Sequence, residues 1–558
     1  MKILQNKRIL LSLVLLSVAS FFYVFKTYLL NLDANHDGIM FTPALAVSQG
    51  LLPNRDFFSL YGPVTPIIQG FWLHIFGESV FQLRLFSFVI TCLIALTTFY
   101  LVKNRLSMRL SLIMVLTWLV TGPSGLPWSS LLVNLMYLLV LLLLKIALDD
   151  SSSIKRELAM LLGGALCGIA IFVRIQMLVS FFTLLILLII AKPLYLRLPV
   201  CFAAGGVASL LVSLVLLLQT GALQPFIEQG IIWAADFYGT PRIDRSYLIN
   251  ILWFPMIYFF IIILKSYLQS PKLRIWRSRE ISYQQFLVFS FFLMISILSN
   301  VPRDSVRTLF SIRGFILGFS WNLNHWLGFF SVSLSVIFFI ILCVKAKTLG
   351  ISRFADLLSA NIPFIFGITS LTQLYPFYDL WHVWFITPVL LASTVMSDVI
   401  DRVNAVFNLD FQNICCIFLM VSLLTSIKVY YQESYSFRAP ILVGMSSSAP
   451  GAESMDKTLL ALADKGDSGH IQFNCPLGLY AAANGKYMSN DLNYVNWGNF
   501  ADSSPREVTQ MFMCEASRNQ IAFYEQMGWR IVFLIEIEKM NYDDTTFFYN
   551  ALMEIDSE

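Results

Sequence analysis

The chain is poor in charge. Of its 558 residues only 13% are Asp, Glu, Lys or Arg, whereas 57% are hydrophobic and 48 are Phe. An average soluble domain carries about a quarter charged residues, so this composition excludes an ordinary soluble protein and indicates a polytopic membrane protein. A formal net charge of +4 is too small to point to nucleic acid as a partner. Eight Cys lie mostly inside apolar runs without CxxC spacing, which gives neither a metal site nor a redox motif. Only Cys475 and Cys514 fall in a polar region, where they stand either as an extracytoplasmic pair or as two free thiols. There is no Gly-rich phosphate loop, no internal repeat and no low-complexity tract. The apolar run from Ile9 to Leu30, behind Lys2, Lys7 and Arg8, is not followed by a small-residue cleavage site. It is also longer than a signal-peptide core of about 7–15 residues, so it reads as an uncleaved first membrane helix.

What is present is a series of apolar segments near the length of about 17–25 residues that a helix needs to cross a bilayer. They run over 9–30, 79–102, 109–121, 129–148, 158–173, 177–191, 198–218, 248–264, 283–299, 327–344, 357–373, 382–397 and 411–430, about thirteen spans by that rule. Lys and Arg collect in alternate connections, notably 103–109, 151–157, 192–197, 265–280 and 345–353. The positive-inside rule then puts the N-terminus in the cytoplasm and the C-terminal region outside the cell membrane. After Tyr431 the composition turns polar, with helix-like runs at 455–464 and 505–527 and a strand-like run at 530–538. The expected architecture is an all-α membrane domain over 1–430 and a small extracytoplasmic α/β domain over 431–558.

One polar stretch interrupts the first part. Residues 31–78 form a long first outer loop holding Asp33, Asp37 and Asp56, three of the few acidic residues in the first hundred positions. A carboxylate beside the first span can act as general base if it lies within about 2.6–3.2 Å of a hydroxyl. Asp37 also suits a helix N-cap ahead of GIMFTPALAVSQG. Gly50 and the prolines at 63 and 66 predict two short helices joined by an extended crossing. Other outer connections, such as TGPSGLPWSS at 121–130, mix aromatics with polar residues and suit the membrane interface.

The order of these features resembles the GT-C superfamily of membrane glycosyltransferases. They are an acidic residue after the first span, a helix ending in Gly, an aromatic RDFF element, a Gly-Pro turn, then FG and an Arg opening the second span. The chain is most similar to the bacterial branch grouped with protein O-mannosyltransferases and lipid A aminoarabinose transferases. The resemblance implies that Asp37 is the catalytic base, with Asp33 as its competitor and Gly38 standing where the family carries Glu. It implies donor-phosphate contacts at Arg174, Gln176 and Arg84, with Arg303 and Arg307 as further candidates. Substrate contacts fall at Asp56, Tyr61, Asp379 and His382. The implied reaction is transfer of a monosaccharide, with inversion, from a polyprenyl-phosphate donor to a glycolipid, glycan or protein acceptor. No cofactor is required, and a divalent metal has no support in the sequence. Two other classes share this composition: a noncatalytic protein of envelope polysaccharide assembly and a multi-span transporter. A transporter would carry its ionisable residues at mid-membrane and show inverted repeats.

Overall fold

The structure, a computed structural model, describes residues 17–29, 32, 34–59, 61–120, 122, 126–149, 152–191, 197–233, parts of 327–346, 351–374, 380–397, 435–447, 452–464, 471–474, 479–483, 510–537 and 548–555. Helix α1 covers 17–29. The first loop then folds into α2 (Ala34–Ser48) and α3 (Val64–Phe76), the two short helices expected there. They are followed by α4 (Val80–Val102), α5 (Met108–Val120), α6 (Ser129–Asp149), α7 (Ser153–Ile171), α8 (Met177–Ala191) and α9 (Arg197–Gln219). A short α10 (Leu223–Ile227) runs on into a π-helical turn, Glu228–Trp233.

Among the described residues α4, α6 and α9 are each long and apolar enough to cross a membrane. A fourth span forms if α11 (Ile351–Ala360) is joined to α12 (Ile362–Ile368) and its continuation, a 3-10 turn at Thr369–Leu374. That pair bends by 71° within the stretch where the sequence predicted a span over 357–373. Pro363 lies just inside the start of α12, a position where its missing N–H costs least. Shorter apolar helices among the described residues include α3, α5, α8 and the C-terminal part of α13 (Leu380–Val395). The expected spans at 248–264, 283–299 and 411–430 lie outside the described residues.

Packing follows side-chain size. An added Cβ on Gly164 would stand 1.9 Å from the Phe202 carbonyl oxygen, and one on Gly205 equally close to that of Leu161. Only residues without side chains let the backbones of α7 and α9 approach so closely. Across the bundle, Trp118 of α5 and Trp384 of α13 stack with centroids 4.6 Å apart. Each indole donates to the other residue's carbonyl, at 3.0 and 2.8 Å. The pair therefore satisfies in apolar surroundings the N–H groups that a buried Trp must place.

After residue 434 the described elements are strands and helices. Strands β1 (Tyr435–Ser436) and β2 (Ser446–Ser447) pair antiparallel. Helix α14 (Ala452–Asp464) precedes a four-stranded sheet of β3 (Ile471–Asn474), β4 (Gln510–Ser517), β5 (Trp529–Ile537) and β6 (Phe548–Ile555) in the order β3-β4-β6-β5. Only the β3–β4 pair is parallel. The helix expected over 505–527 is corrected here: among the described residues 510–517 is strand, and the helical part is α15 (Arg518–Gln526). Strand β4 lies between β3 and β6, so pairing on both edges outweighs its local helical signal.

These elements are not independent of the first loop. Phe437, Leu442, Leu459, Tyr480 and Leu552 share one apolar core with Phe41 and Leu45 of α2, Leu73 of α3 and Leu83 of α4. Burying side chains of this size stabilises by about 1.5–3 kcal/mol each. Helix α2 is thereby clamped between the start of α4 and the C-terminal elements.

Candidate functional site

Two corners of the molecule receive the residues singled out by the sequence. In the first, Asp37 in the opening turn of α2 meets Arg84 in the first turns of α4. The Arg84 Nε donates to Asp37 Oδ1 at 3.0 Å and its Nη2 to Oδ2 at 2.5 Å, while its Nη1 donates to the Tyr28 carbonyl at 3.0 Å. Both side chains are fully buried. A bidentate pair of this kind fixes geometry as well as charge, and removing one partner typically costs about 3–5 kcal/mol because the other charge is stranded. The pair joins α2 to α4 and to the end of α1.

The second corner lies where the chain passes from α7 to α8. The Phe172 carbonyl accepts from Val64 N at 3.3 Å. Gly62 lies against that same carbonyl, and an added Cβ would stand 1.9 Å from its oxygen. The loop before α3 is thus laid directly on the α7–α8 junction. Arg174 is only 5% exposed there. Its guanidinium carbon is 5.1 Å from the Tyr61 ring centroid, and its Nε donates to Ser129 Oγ at 3.1 Å. Tyr61 meets Trp128 edge-on at 5.5 Å, and Trp128 in turn meets His36 of α2 at 5.4 Å. The result is a chain of rings and charge, His36–Trp128–Tyr61–Arg174, at the N-terminus of α6.

Chemically this corner suits an anion. The opening N–H groups of a helix lack intrahelical acceptors and carry a partial positive charge, here reinforced by a guanidinium and a hydroxyl. Around the same junction Gln69 donates to the Pro127 carbonyl at 2.8 Å. Its own Oε1, together with Thr65 Oγ1 and Ser130 Oγ, is buried without a hydrogen-bond partner. Such groups are rare in apolar interiors and cost about 1–3 kcal/mol each. One helical turn further along α6, Asn134 binds the Ser130 carbonyl and accepts from Gln373 at 3.3 Å, carrying polarity deeper into the bundle.

The remaining expected residues are dispersed. Asp56 folds its own turn: Oδ2 accepts from Leu52 N at 2.7 Å, and Arg55 donates to both oxygens, at 2.7 Å each. The Arg55 guanidinium holds the Asp56 carboxyl below its ordinary range. The next layer is Asn54, in left-handed backbone at φ 65°, whose Nδ2 donates to Gln229 Oε1 at 2.9 Å. This anchors the turn on the π-helical segment after α10. Gln176 is half-buried just beyond Arg174, and His382 is half-buried in α13 with its ring edge-on to Phe385. Asp33, Asp379, Arg303 and Arg307 lie outside the described residues. The structure thus brings Tyr61 and Arg174 together and sets Asp37 with Arg84.

Sequence reasoning missed His36, Trp128 and Ser129. The signal for the last two was WSS directly ahead of an apolar run, a hydroxyl at a helix start. Among the described residues no three His, Cys, Asp or Glu side chains gather as metal ligands.

No protein-family model matches the sequence, and no curated relative matches it. Among solved structures, ArnT from Cupriavidus metallidurans bound to undecaprenyl phosphate is similar over 98% of this chain and 98% of its own, at 12% identity and a TM-score of 0.44. The Archaeoglobus fulgidus oligosaccharyltransferase in complex with Zn and sulfate is similar over 88% of this chain, at 11% identity and a TM-score of 0.44. This chain spans 59% of the length of that protein.

Proposed function

We propose that the chain is an integral membrane glycosyltransferase that moves a monosaccharide from a polyprenyl-phosphate donor to an envelope acceptor, a glycolipid, glycan or protein. The observation that carries this reading is Arg174, a nearly buried guanidinium held by Ser129 and Tyr61 at the N-terminus of the apolar span α6. A guanidinium in that position serves an anion that arrives from the bilayer, and a lipid phosphate is such an anion. During transfer the bond from the anomeric carbon to the phosphate oxygen breaks, and negative charge grows on the phosphate. Arg174 and the opening N–H groups of α6 stabilise it, the preorganised kind of help that dominates many enzymes.

The acceptor oxygen attacks from the opposite face and inverts the anomeric carbon, while the first loop supplies the group that takes its proton. The sequence places that role on Asp37, with Asp33 as competitor. Gln176 adjoins the phosphate site, and Asp379 and His382 serve substrate positioning. In this reading the N-terminus is cytoplasmic, and the first loop and residues 431–558 face the outside.

The test is direct. Purified protein in lipid nanodiscs is incubated with a panel of polyprenyl-phosphate-linked hexoses and pentoses and with envelope glycolipid extract, and released polyprenyl phosphate is measured. Release that depends on the protein supports the reading. No release with any donor, together with unchanged envelope glycans in cells lacking the protein, refutes it.

A further inference from the structure

We propose that the buried corner where α3 meets the start of α6 binds the sugar of the lipid-linked donor, and that this sugar is neutral and rich in hydroxyls. The inference rests on the glycosyltransferase reading above. Nine buried side-chain atoms among the described residues have no hydrogen-bond partner, and five of them gather around this corner: Thr65 Oγ1, Gln69 Oε1, Ser130 Oγ, Ser370 Oγ and Gln373 Oε1. None of the five residues is more than 2% exposed.

Hydrogen bonds place them. Thr65 follows Val64, whose N–H binds the carbonyl of Phe172, two residues before Arg174. Gln69 lies one turn further along the same face of α3, and its Nε2 donates to the Pro127 carbonyl at 2.8 Å. Ser130 adjoins Ser129, the hydroxyl that accepts from Arg174 Nε at 3.1 Å. The Ser130 carbonyl accepts from Asn134, which in turn accepts from Gln373 Nε2 at 3.3 Å. Ser370 stands three residues before Gln373 in the 3-10 turn, where residues so spaced are eclipsed. The five atoms therefore belong to one contact region, between α3, α6 and that turn, which begins next to the Arg174 guanidinium.

Their chemistry selects the class of ligand. Three are hydroxyls, which donate and accept, and two are amide oxygens, which accept. Sugar hydroxyls also donate and accept, so a polyol can satisfy all five. None of the five side chains is charged. An ammonium or carboxylate on the sugar would leave water there without a counter-charge from them, at high cost. A purely structural contact gains nothing from such atoms, since apolar side chains of the same shape fill the space with no unmet group. The structure closes the corner over them, and unmet polar atoms destabilise that closed arrangement. Opening it to admit a sugar thus costs less than parting an apolar contact.

The experiment uses the protein in nanodiscs and three kinds of synthetic polyprenyl phosphate: bare, carrying neutral hexoses or pentoses, and carrying an amino-substituted pentose. Affinity and melting temperature are measured for the wild type, Thr65→Val, Thr65→Ser, Ser130→Ala and Arg174→Met. Thr65→Val and Ser130→Ala are expected to keep or raise the melting temperature. They should bind the preferred neutral-sugar lipid about 3–10-fold more weakly, the net worth of one hydrogen bond, with affinity for the bare lipid within about twofold. Thr65→Ser keeps the hydroxyl and the affinity, and Arg174→Met weakens both lipids. Lower melting temperatures in Thr65→Val and Ser130→Ala would show that the fold itself uses these hydroxyls and overturn the proposal. So would neutral-sugar binding that is unchanged in them or falls equally with the bare lipid, or a wild type that takes the amino-substituted lipid as well as the neutral ones. A wild type that binds none of the lipids refutes the glycosyltransferase reading itself, an outcome distinct from lipid-phosphate binding that is indifferent to positions 65 and 130.

Discussion

Arg84 and Arg174 are both buried arginines close to the first loop, and they differ in their partners. Arg84 faces a carboxylate that takes two of its donors, with a backbone carbonyl taking a third. Arg174 faces a tyrosine ring and a serine hydroxyl, and the polar atoms around its junction include three buried ones with no partner. A buried guanidinium matched by a carboxylate is a joint, its charge already answered within the fold. One held by a tyrosine ring and a serine hydroxyl at a helix start stands where the lipid phosphate is proposed to bind. The comparison predicts that substitutions at Arg174 act on activity and those at Arg84 on stability. The largest effect is expected for Arg174→Met, which should reduce transfer by about 10²–10³-fold, the usual loss when one preorganised donor is removed. Arg174→Lys should recover only part of the rate, because an ammonium lacks the planar fork and stacks less well on Tyr61. Kinetics on protein of unchanged melting temperature provide the check.

The other corner breaks differently. Arg84→Met should destabilise the protein by about 3–5 kcal/mol by stranding the Asp37 carboxylate in an apolar site. Combining it with Asp37→Leu should recover most of that loss, because two apolar side chains of similar volume leave no charge to answer. Thermal unfolding in detergent reads both variants. A double variant no more stable than Arg84→Met alone would show that the pair is not the joint described here.

The contrast was only partly legible in the sequence. Helix ends of α4, α5, α6, α8 and α9 follow the apolar runs, α7 starts earlier, at Ser153, and the two helices of the first loop follow from Gly50, Pro63 and Pro66, since these signals are local. What the side chains face is not local. His36 and Asp37 are neighbours in sequence, yet one meets Trp128 and the other Arg84. Tyr61 reaches Arg174 because Gly62 lets the loop settle on the Phe172 carbonyl, a contact that no periodicity announces. Likewise, 510–517 became strand through its partners on both edges. Tertiary pairing decided in each case what local pattern left open.

A second charged joint tests whether saturation marks scaffolding elsewhere. Asp456 of α14 is fully buried and accepts from Tyr435 Oη at 2.7 Å, from Arg438 N at 2.9 Å and from Ala439 N at 2.8 Å. Burial pushes its carboxyl up, but these bonds and the Arg438 guanidinium outweigh burial and hold it below the ordinary range. A depressed value in the folded state means that the contribution is present above the unfolded value of about 3.9 and is lost as pH falls through the folded one. Asp456→Asn should therefore cost about 2 kcal/mol at neutral pH, and the cost should shrink in acid. Melting temperatures of the two proteins that keep the same gap down to pH 3 would contradict this.

The smallest effect is expected at Asp56, which the resemblance assigned to substrate. Its carboxylate caps Leu52 N and binds Arg55, so the bonds it makes are spent inside its own turn. That turn in turn meets Gln229 through Asn54. By the argument drawn from Arg84, a carboxylate so engaged is a joint, and Asp56→Ala should cost about 1 kcal/mol, as the loss of a cap does. The hydrogen bond from Arg55 depresses its pKa, so the cost is full above about pH 4 and disappears as pH falls through the folded value. If Asp56 is only a joint, kcat should stay within about twofold and any change should appear in donor KM, since a loosened loop weakens binding before it slows chemistry. A fall in kcat at unchanged stability would instead place Asp56 among the groups that touch the substrate, and saturation within the fold would no longer separate the two kinds of corner.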